Sequence, residues 1–198
     1  MEIKKAEFVR SISRGGEYFN PGLPEIAVVG KSNVGKSSLI NMLTNNRKLA
    51  RVSKQPGKTR LVNYFLLNNA FYLVDLPGYG FARVSKEEKK SWDEMMRSYF
   101  EAARHLKAVL ILMDIRHKPT AEDLMMVQFV EYFAIPYVVG ATKADKIAKS
   151  KRFNECARLR RQIPSSFAYE IVPLSSEDGY GKEKLLGILE PYLQSEEE

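Results

Sequence analysis

The chain has 198 residues, of which 44% are hydrophobic and 28% charged, and its formal net charge is +7. These proportions are typical of a globular protein and exclude intrinsic disorder, collagen-like repeats and low-complexity sequence for most of the chain. One cysteine, Cys156, excludes an internal disulfide, and two separated histidines argue against a zinc site. We therefore expect one α/β domain in a reducing cytoplasm.

The apolar segments are short. The longest run, residues 108–113, is far too short to cross a bilayer. The first seven residues carry acidic side chains and have no apolar core, which is unlike a signal peptide. We expect neither secretion nor contact with a membrane, and we expect a monomer.

Short apolar runs alternate with amphipathic segments along the chain. The runs predicted as strands are residues 26–29, 61–67, 71–74, 108–113, 137–141 and 171–174. Helices are predicted after Lys36, Lys151 and Lys182 from their periodicity, and at 85–88 and 120–123 from capping-box sequences. The two asparagines at 68–69 are short enough for a hairpin, so the second and third strands should pair antiparallel at one edge of the sheet.

This alternation predicts a three-layer α/β fold of the P-loop type. Its sheet should be mixed and six-stranded, with one antiparallel edge strand and helices on both faces. Residues 1–24 are interpreted as an N-terminal extension, 25–195 as a single domain and 196–198 as an acidic tail.

A phosphate-binding motif lies between the first predicted strand and a helix. The residues that match G-x-x-x-x-G-K-[ST] are Gly30, Lys31, Ser32, Asn33, Val34, Gly35, Lys36 and Ser37. Its glycines let successive backbone N–H groups point at phosphate oxygens beside a helix N-terminus. Lys36 should reach the β and γ phosphates, and the Ser37 hydroxyl should ligate Mg²⁺.

Two further motifs follow predicted strands. The first consists of Asp75, Leu76, Pro77 and Gly78, and the second of Thr142, Lys143, Ala144 and Asp145. Asp75 can hold a water on Mg²⁺, and the Gly78 N–H can approach the γ-phosphate. Asp145 accepts hydrogen bonds only, which suits the N1–H and N2–H₂ donors of guanine and no pair on adenine.

The stretches GKSNVGKSSLIN, QPGKTR, DLPGYGFA, TKADK and LSSEDGYGK resemble those of the TrmE–Era-like GTPases and, within them, the EngB group (also called YihA or YsxC). The resemblance spans about residues 22 to 195. It implies Thr59 as a first-switch Mg²⁺ ligand and Ser175 and Ser176 as backbone contacts to guanine. It also implies nucleotide contacts at Gly57, Lys58, Arg60, Leu61 and Leu174.

Three positions depart from wider GTPase patterns. Thr142 stands where the fingerprint has Asn, and Tyr79 stands where Ras-like enzymes place the glutamine that orients the attacking water. We expect no such role for a phenol, so hydrolysis should be slow and Tyr79→Ala should matter little. Asn33 matches the asparagine with which related GTPases help hold K⁺ beside the phosphates; an asparagine that tolerates a tight turn is the alternative.

The resemblance implies a Mg²⁺-dependent GTPase that switches between GTP and GDP forms in assembly of the large (50S) ribosomal subunit, with effects on growth, division and septation. No acidic residue lies between Glu25 and Asp75, where eight basic residues do: Lys31, Lys36, Arg47, Lys48, Arg51, Lys54, Lys58 and Arg60. A second basic run spans residues 146–161. Both could contact rRNA phosphates, although charge runs are also typical of a solvated face.

Two alternatives remain open from the sequence. A P-loop nucleoside or small-molecule kinase should have an arginine-rich lid and would leave the motif at 142–145 unexplained. A division-associated switch that binds other proteins, with no direct ribosomal role, has the same nucleotide motifs.

Overall fold

The structure is a computed structural model that describes residues 1–13, 18–50, 61–80 and 85–194. Its strands are β1 (Ala6–Ile12), β2 (Glu25–Gly30), β3 (Val62–Leu67), β4 (Phe71–Asp75), β5 (Leu106–Asp114), β6 (Tyr137–Thr142) and β7 (Glu170–Pro173). Its α-helices are α1 (Lys36–Leu43), α2 (Lys86–Ala102), α3 (Ala121–Tyr132), α4 (Arg152–Gln162) and α5 (Lys182–Leu193). All six predicted strands and all five predicted helices are present.

One mixed sheet runs through the described residues in the order β1-β3-β4-β2-β5-β6-β7. The strands β4, β2, β5, β6 and β7 are parallel, and β3 is antiparallel to both β4 and β1. The predicted hairpin between β3 and β4 is confirmed, with its turn at Asn68 and Asn69 in left-handed conformation.

The predicted strand count of six is wrong, because the sheet has seven strands in the described residues. The additional strand, β1, covers β3, so the antiparallel strand of the predicted hairpin is not at the edge. Five of the seven β1 residues are exposed, and Glu7 and Arg10 interrupt any apolar pattern. Charged side chains are typical of an edge strand, which pairs through its backbone rather than through burial.

Two hydrophobic cores lie on opposite faces of the sheet. One contains residues of α2, α3 and α4, such as Met96, Val127 and Leu159. The other contains residues of α1 and α5, such as Ile40 and Leu185. Central strand β2 is buried along its whole length and contributes alternate residues to the two cores, as the two-residue period of a strand requires. The three-layer α/β fold is confirmed.

The five parallel strands bring their carboxyl ends to one edge of the sheet, where ligands bind in open α/β folds. The segments that follow β2, β4, β6 and β7 carry the sequence motifs. None of the helices in the described part of the chain combines the length and the hydropathy that crossing a bilayer needs.

Candidate functional site

The loop between β2 and α1 is shaped by two left-handed residues, Asn33 (φ 64°) and Gly35 (φ 103°). Gly35 is the N-cap of α1, and its φ lies in the region that favours glycine. A Cβ at Gly30 would come within 2.8 Å of the Val34 side chain, so this loop conformation requires glycine at position 30. The backbone therefore curls over the N-terminus of α1, which is the geometry of an anion-binding loop.

A cation and a carboxylate meet beside this loop. The Lys36 ammonium, on the first residue of α1, contacts Asp75 at the end of β4. Both side chains are largely buried, and burial lowers the pKa of Lys36 to about 7. The Asn63 amide lies 3.4 Å from the second carboxylate oxygen of Asp75. The two motifs that the sequence assigns to phosphate and Mg²⁺ are thus in direct contact.

The donor set fits a magnesium ion held largely by a nucleotide. Ser37 is on the first turn of α1 and Asp75 ends β4, so a hydroxyl and a carboxylate flank the same loop. Within the described residues no group of three or more His, Cys, Asp or Glu could hold a metal alone. Mg²⁺ commonly takes one or two protein oxygens and completes its shell with phosphates and water. Thr59, the further ligand that the resemblance implies, lies outside the described residues.

The segment after β4 lies against the phosphate loop. The Tyr79 carbonyl accepts from the Ser32 N–H at 2.9 Å, and the Tyr79 N–H donates to the Gly30 carbonyl at 3.3 Å. A Cβ at Gly78 would lie 3.2 Å from the same carbonyl. Leu76 is fully buried, so it anchors the segment in the core. Because the backbones are this close, Gly78 lies against the phosphate loop; that its N–H senses the γ-phosphate stays a prediction.

The Tyr79 phenol does not point to solvent. It is buried and donates to Asp123 Oδ1 at 2.8 Å, while the other oxygen of Asp123 accepts from the Thr120 backbone and hydroxyl in the capping box of α3. Burial, reinforced by the Asp123 charge, raises the pKa of Tyr79 well above its ordinary value. The expectation that Tyr79→Ala matters little for hydrolysis stays a prediction, but the side chain fills the core, so its removal should lower the stability of the fold.

The guanine motif is tied to the phosphate loop through Thr142. This residue is buried at the end of β6, and its hydroxyl donates to the Val34 carbonyl at 2.8 Å; the Met113 carbonyl is 3.2 Å away. In the sequence, Thr142 departs from the base-binding pattern, which has Asn at this position. The structure gives its side chain a tethering contact instead.

Lys143 makes a second connection between the two loops. Its φ of 61° turns the chain, and its ammonium donates to the Asn33 carbonyl and pairs with Asp114, each at 3.0 Å. Asp114 also receives a bidentate pair from Arg116. Burial alone would raise the pKa of Asp114, but hydrogen bonds from Arg116 and Lys143 outweigh it and hold that pKa well below its usual range. Asp114 was not identified from the sequence, where no motif marks it.

The remaining residues that the sequence assigns to the base lie close together. The Ala144 N–H donates to the Leu174 carbonyl at 3.0 Å, which joins the ends of β6 and β7. Asp145 lies 3.0 Å from Lys146; burial raises its pKa, but hydrogen bonds from Lys146 and Ser175 lower it overall. Asp145 is therefore held as a carboxylate that only accepts.

Ser175 and Ser176 follow β7 directly. Ser175 is fully buried, and its N–H donates to the Tyr180 carbonyl at 3.0 Å. This bond occupies the Ser175 N–H, one of the backbone groups of the pair that the resemblance places at the guanine. Half-buried Ser176 is the remaining member of the pair for such a contact.

Part of the predicted site lies outside the described residues, namely Gly57, Lys58, Thr59 and Arg60. Leu61, half-buried, directly precedes β3. Of the first basic cluster, Arg51 and Lys54 also lie outside the description. Arg47 and Lys48 are exposed in the loop after α1.

Buried Asn41 holds this basic loop, a role that sequence reasoning missed. Its amide donates to the carbonyls of Arg47 (3.1 Å) and Ala50 (2.9 Å), and its oxygen accepts from the Ala50 N–H at 2.7 Å. An apolar-periodic helix with one asparagine on its buried face is the signal that could have found it.

Comparison with known proteins agrees with this geometry. A protein family described as "50S ribosome-binding GTPase" matches residues 25–143. The chain is 46% identical to the probable GTP-binding protein EngB of Geobacillus thermodenitrificans, covering 98% of this chain and 99% of that protein. It is 48% identical to the protein of the same name from Clostridium kluyveri, covering 96% of each.

Solved structures show the same fold. A crystal structure of a probable GTP-binding protein engB aligns with a TM-score of 0.65 at 24% identity, covering 85% of this chain and 98% of that one. Aquifex aeolicus Era bound to GDP and AlF4⁻ aligns with a TM-score of 0.69 at 26% identity, covering 88% of this chain and 58% of that one.

Proposed function

The chain belongs to the EngB family of GTP-binding GTPases, and on that premise we propose that it acts as a GTP/GDP switch in assembly of the large (50S) ribosomal subunit. The observation that carries the switch is the convergence of two segments, one after β6 and one after β4, on the phosphate loop. Thr142 and Lys143 tie the base side to residues 33–34, and Tyr79 ties the sensor side to residues 30–32.

The site residues are assigned roles by their positions. The N–H groups of residues 30–37 and the Lys36 ammonium bind the phosphates, and a bound phosphate favours the charged form of this lysine against the effect of burial. Asp145 and Lys143 bind the guanine, and the Gly78 N–H senses the γ-phosphate. Ser37 and Asp75, with Thr59, hold Mg²⁺, which when bound neutralises charge that develops on the phosphates.

Potassium is proposed as a second cation. Asn33 is exposed at the turn of the phosphate loop, so its side chain can reach a cation beside the phosphates. Its left-handed φ is equally what a turn asparagine adopts. Tyr79 stands where Ras-like enzymes have the glutamine that orients the attacking water, but its hydroxyl is bonded to Asp123. This contact supports slow GTP hydrolysis that a further factor must stimulate.

The ribosomal role is supported by the described family and by the basic loop. Arg47 and Lys48 are exposed in the loop that Asn41 holds through Arg47 and Ala50, and this loop precedes residues 51–60, which carry Thr59 and lie outside the described residues. We propose that in the GTP form the exposed cations Arg47 and Lys48 bind rRNA phosphates, and that GDP releases them. Growth, division and septation then depend on the protein through ribosome supply, in the cytoplasm.

Sedimentation of the protein with large-subunit particles in GTP, GDP and no nucleotide tests this role. We expect binding in GTP, release in GDP and a steep loss with salt. The variant Arg47→Glu/Lys48→Glu/Arg51→Glu should weaken binding and flatten its salt dependence while GTP affinity is kept. Arg104→Glu/Lys107→Glu, at the amino end of β5 and far from the basic loop in sequence, is the charge control, with two reversals against three.

The outcomes separate the alternatives. Equal sedimentation of the triple variant and the parent would make the basic loop a solvated surface. No sedimentation in any nucleotide state would favour a division-associated switch that binds proteins. The kinase alternative is set aside, because the family consists of GTP-binding proteins.

A further inference from the structure

A groove lies between α4, β7 and the loop before α5, apart from the phosphate loop. It encloses about 860 Å³. Its lining contains more cations than anions: Lys149, Arg152, Arg160, Lys182 and Lys184 against Glu170 and Glu183. The groove therefore favours a ligand that carries negative charge along its length.

Two of these cations are available to a ligand at the rim. Lys182 is engaged, since it donates to the Met42 carbonyl and the Asn45 side chain, and Arg160 donates to the Tyr169 carbonyl. Lys149 and Lys184 are exposed, and neither forms an ion pair within the described residues.

Aromatic rings lie among these charges. Phe153, on the first turn of α4, is 82% exposed, and Tyr180, in the loop before α5, is 43% exposed. Both line the groove. Exposure of a phenylalanine ring to water is unfavourable, and a planar ligand that stacks on the ring would cover it.

The floor of the groove holds a guanidinium with an unused donor. Arg152 is only 4% exposed; its Nε donates to the Ala144 carbonyl at 3.0 Å, and its guanidinium lies 4.1 Å from the centre of the Tyr180 ring. Its Nη1 has no hydrogen-bond partner among the described residues. A buried donor without an acceptor is costly, and a phosphate oxygen is an acceptor that suits a guanidinium. Tyr180, whose ring lies against this guanidinium, is the neighbouring half-exposed side chain of the groove.

We propose that this groove binds a single strand of RNA. Lys149 and Lys184 contact its phosphates, Phe153 and Tyr180 stack on its bases, and Arg152 Nη1 donates to a phosphate oxygen at the floor. Cations interleaved with exposed rings are typical of single-strand binding, in which stacking is tolerant of sequence. An acidic peptide would use the cations but leave the rings uncovered. That the strand is RNA rests on the proposed function.

Fluorescence anisotropy with a labelled RNA strand of about 12 nucleotides and the full chain tests the proposal. Phe153→Ala should weaken binding roughly tenfold, because stacking on one base is lost. Lys149→Glu/Lys184→Glu should weaken it further and reduce the slope of log Kd against log salt by about 0.7 for each phosphate that the variant no longer neutralises. Arg104→Glu/Lys107→Glu has the same charge change away from the groove and should bind nearly as the parent does.

Cys156 supplies a second readout at the groove itself. This half-buried thiol lines the groove, and it is the chain's one cysteine. The RNA strand should slow its alkylation by N-ethylmaleimide, whereas GTP alone should not. Equal affinity of parent and groove variants, or alkylation that RNA leaves unchanged, overturns the proposal.

The test is independent of the ribosomal assay. If groove variants bind the RNA strand normally but no longer sediment with particles, the groove binds a protein and the RNA assignment is wrong. If RNA binding follows the groove while no form sediments with particles, the proposed function fails and the groove stands as a single-strand site.

Discussion

The hydroxyl of Thr142 donates to the carbonyl of Val34 at 2.8 Å, across 108 positions of sequence. The first residue ends β6 in the motif assigned to the base, and the second lies in the loop assigned to the phosphates. Both residues are buried, so water cannot replace the bond. The segment assigned to the base and the loop assigned to the phosphates are therefore held together by a direct hydrogen bond.

Thr142→Val should test this connection, because it keeps the shape and removes the donor. A buried carbonyl left without its partner should lower the free energy of unfolding by about 1–3 kcal/mol. The affinities for GTP and GDP should fall to the same extent, since both nucleotides contact the two loops that this bond joins. Urea unfolding and titration calorimetry measure these effects. Thr142→Ser retains the hydroxyl and is the control; if it and Thr142→Val behave alike, the bond has no such role.

Asp145→Asn should change the base preference. The parent should bind guanine nucleotides at least a hundredfold more tightly than adenine nucleotides, about 3 kcal/mol. An amide presents a donor where guanine needs an acceptor, so the affinity for GTP should fall and the affinity for xanthosine triphosphate should rise. Titration calorimetry with the three nucleotides gives the answer, and Asp178→Asn, an exposed loop carboxyl, is the control. Equal ATP and GTP affinity of the parent would refute the assignment.

Two variants of Tyr79 should distinguish a role in core packing from a role in GTP hydrolysis. Tyr79→Phe loses the bond to Asp123 and should cost about 1.5–3 kcal/mol of stability, because the acceptor is charged. Its rate of GTP hydrolysis should stay near that of the parent. Tyr79→Ala should cost about 3–5 kcal/mol, since a buried ring is removed as well. Unfolding curves and phosphate release measure the two effects, and a large loss of hydrolysis in a folded Tyr79→Phe protein would reinstate a role for the phenol.

The lowered pKa of Asp114 predicts that the folded protein loses stability in acid. Its pKa is lowered in the folded state, so its stabilising effect is complete above its unfolded pKa of about 4 and is lost as the pH falls through that value and below. Asp114→Asn should lower stability at neutral pH by about 1 kcal/mol, with a difference that shrinks below about pH 4. Thermal unfolding across pH measures this, with exposed Asp93→Asn as the control. A difference independent of pH would contradict the explanation.

Potassium should accelerate GTP hydrolysis if Asn33 helps hold it. We expect a faster rate in KCl than in NaCl at equal ionic strength, and Asn33→Ala should remove the difference. Asn33→Gly retains access to the left-handed turn and separates the backbone role from the side-chain role. Equal rates in both salts, with ribosomal particles present to stimulate the enzyme, would rule out the cation role.

Six of the strands and the three nucleotide motifs could be predicted from the sequence because each consists of consecutive residues. The apolar run 26–29 predicts β2, and the eight residues 30–37 that follow this run define the phosphate loop. Strand β1 escaped this reasoning, since an edge strand pairs through its backbone and its side chains show no burial pattern.

Only the tertiary structure decided which side chains meet. The bonds from Thr142 to Val34, from Lys143 to Asn33 and from Tyr79 to Asp123 join residues that strand order, rather than sequence spacing, brings together. A hydroxyl or phenol has the same appearance in a sequence whether it faces a ligand or the core. Burial and the position of an acceptor distinguish these cases, and both are properties of the folded chain.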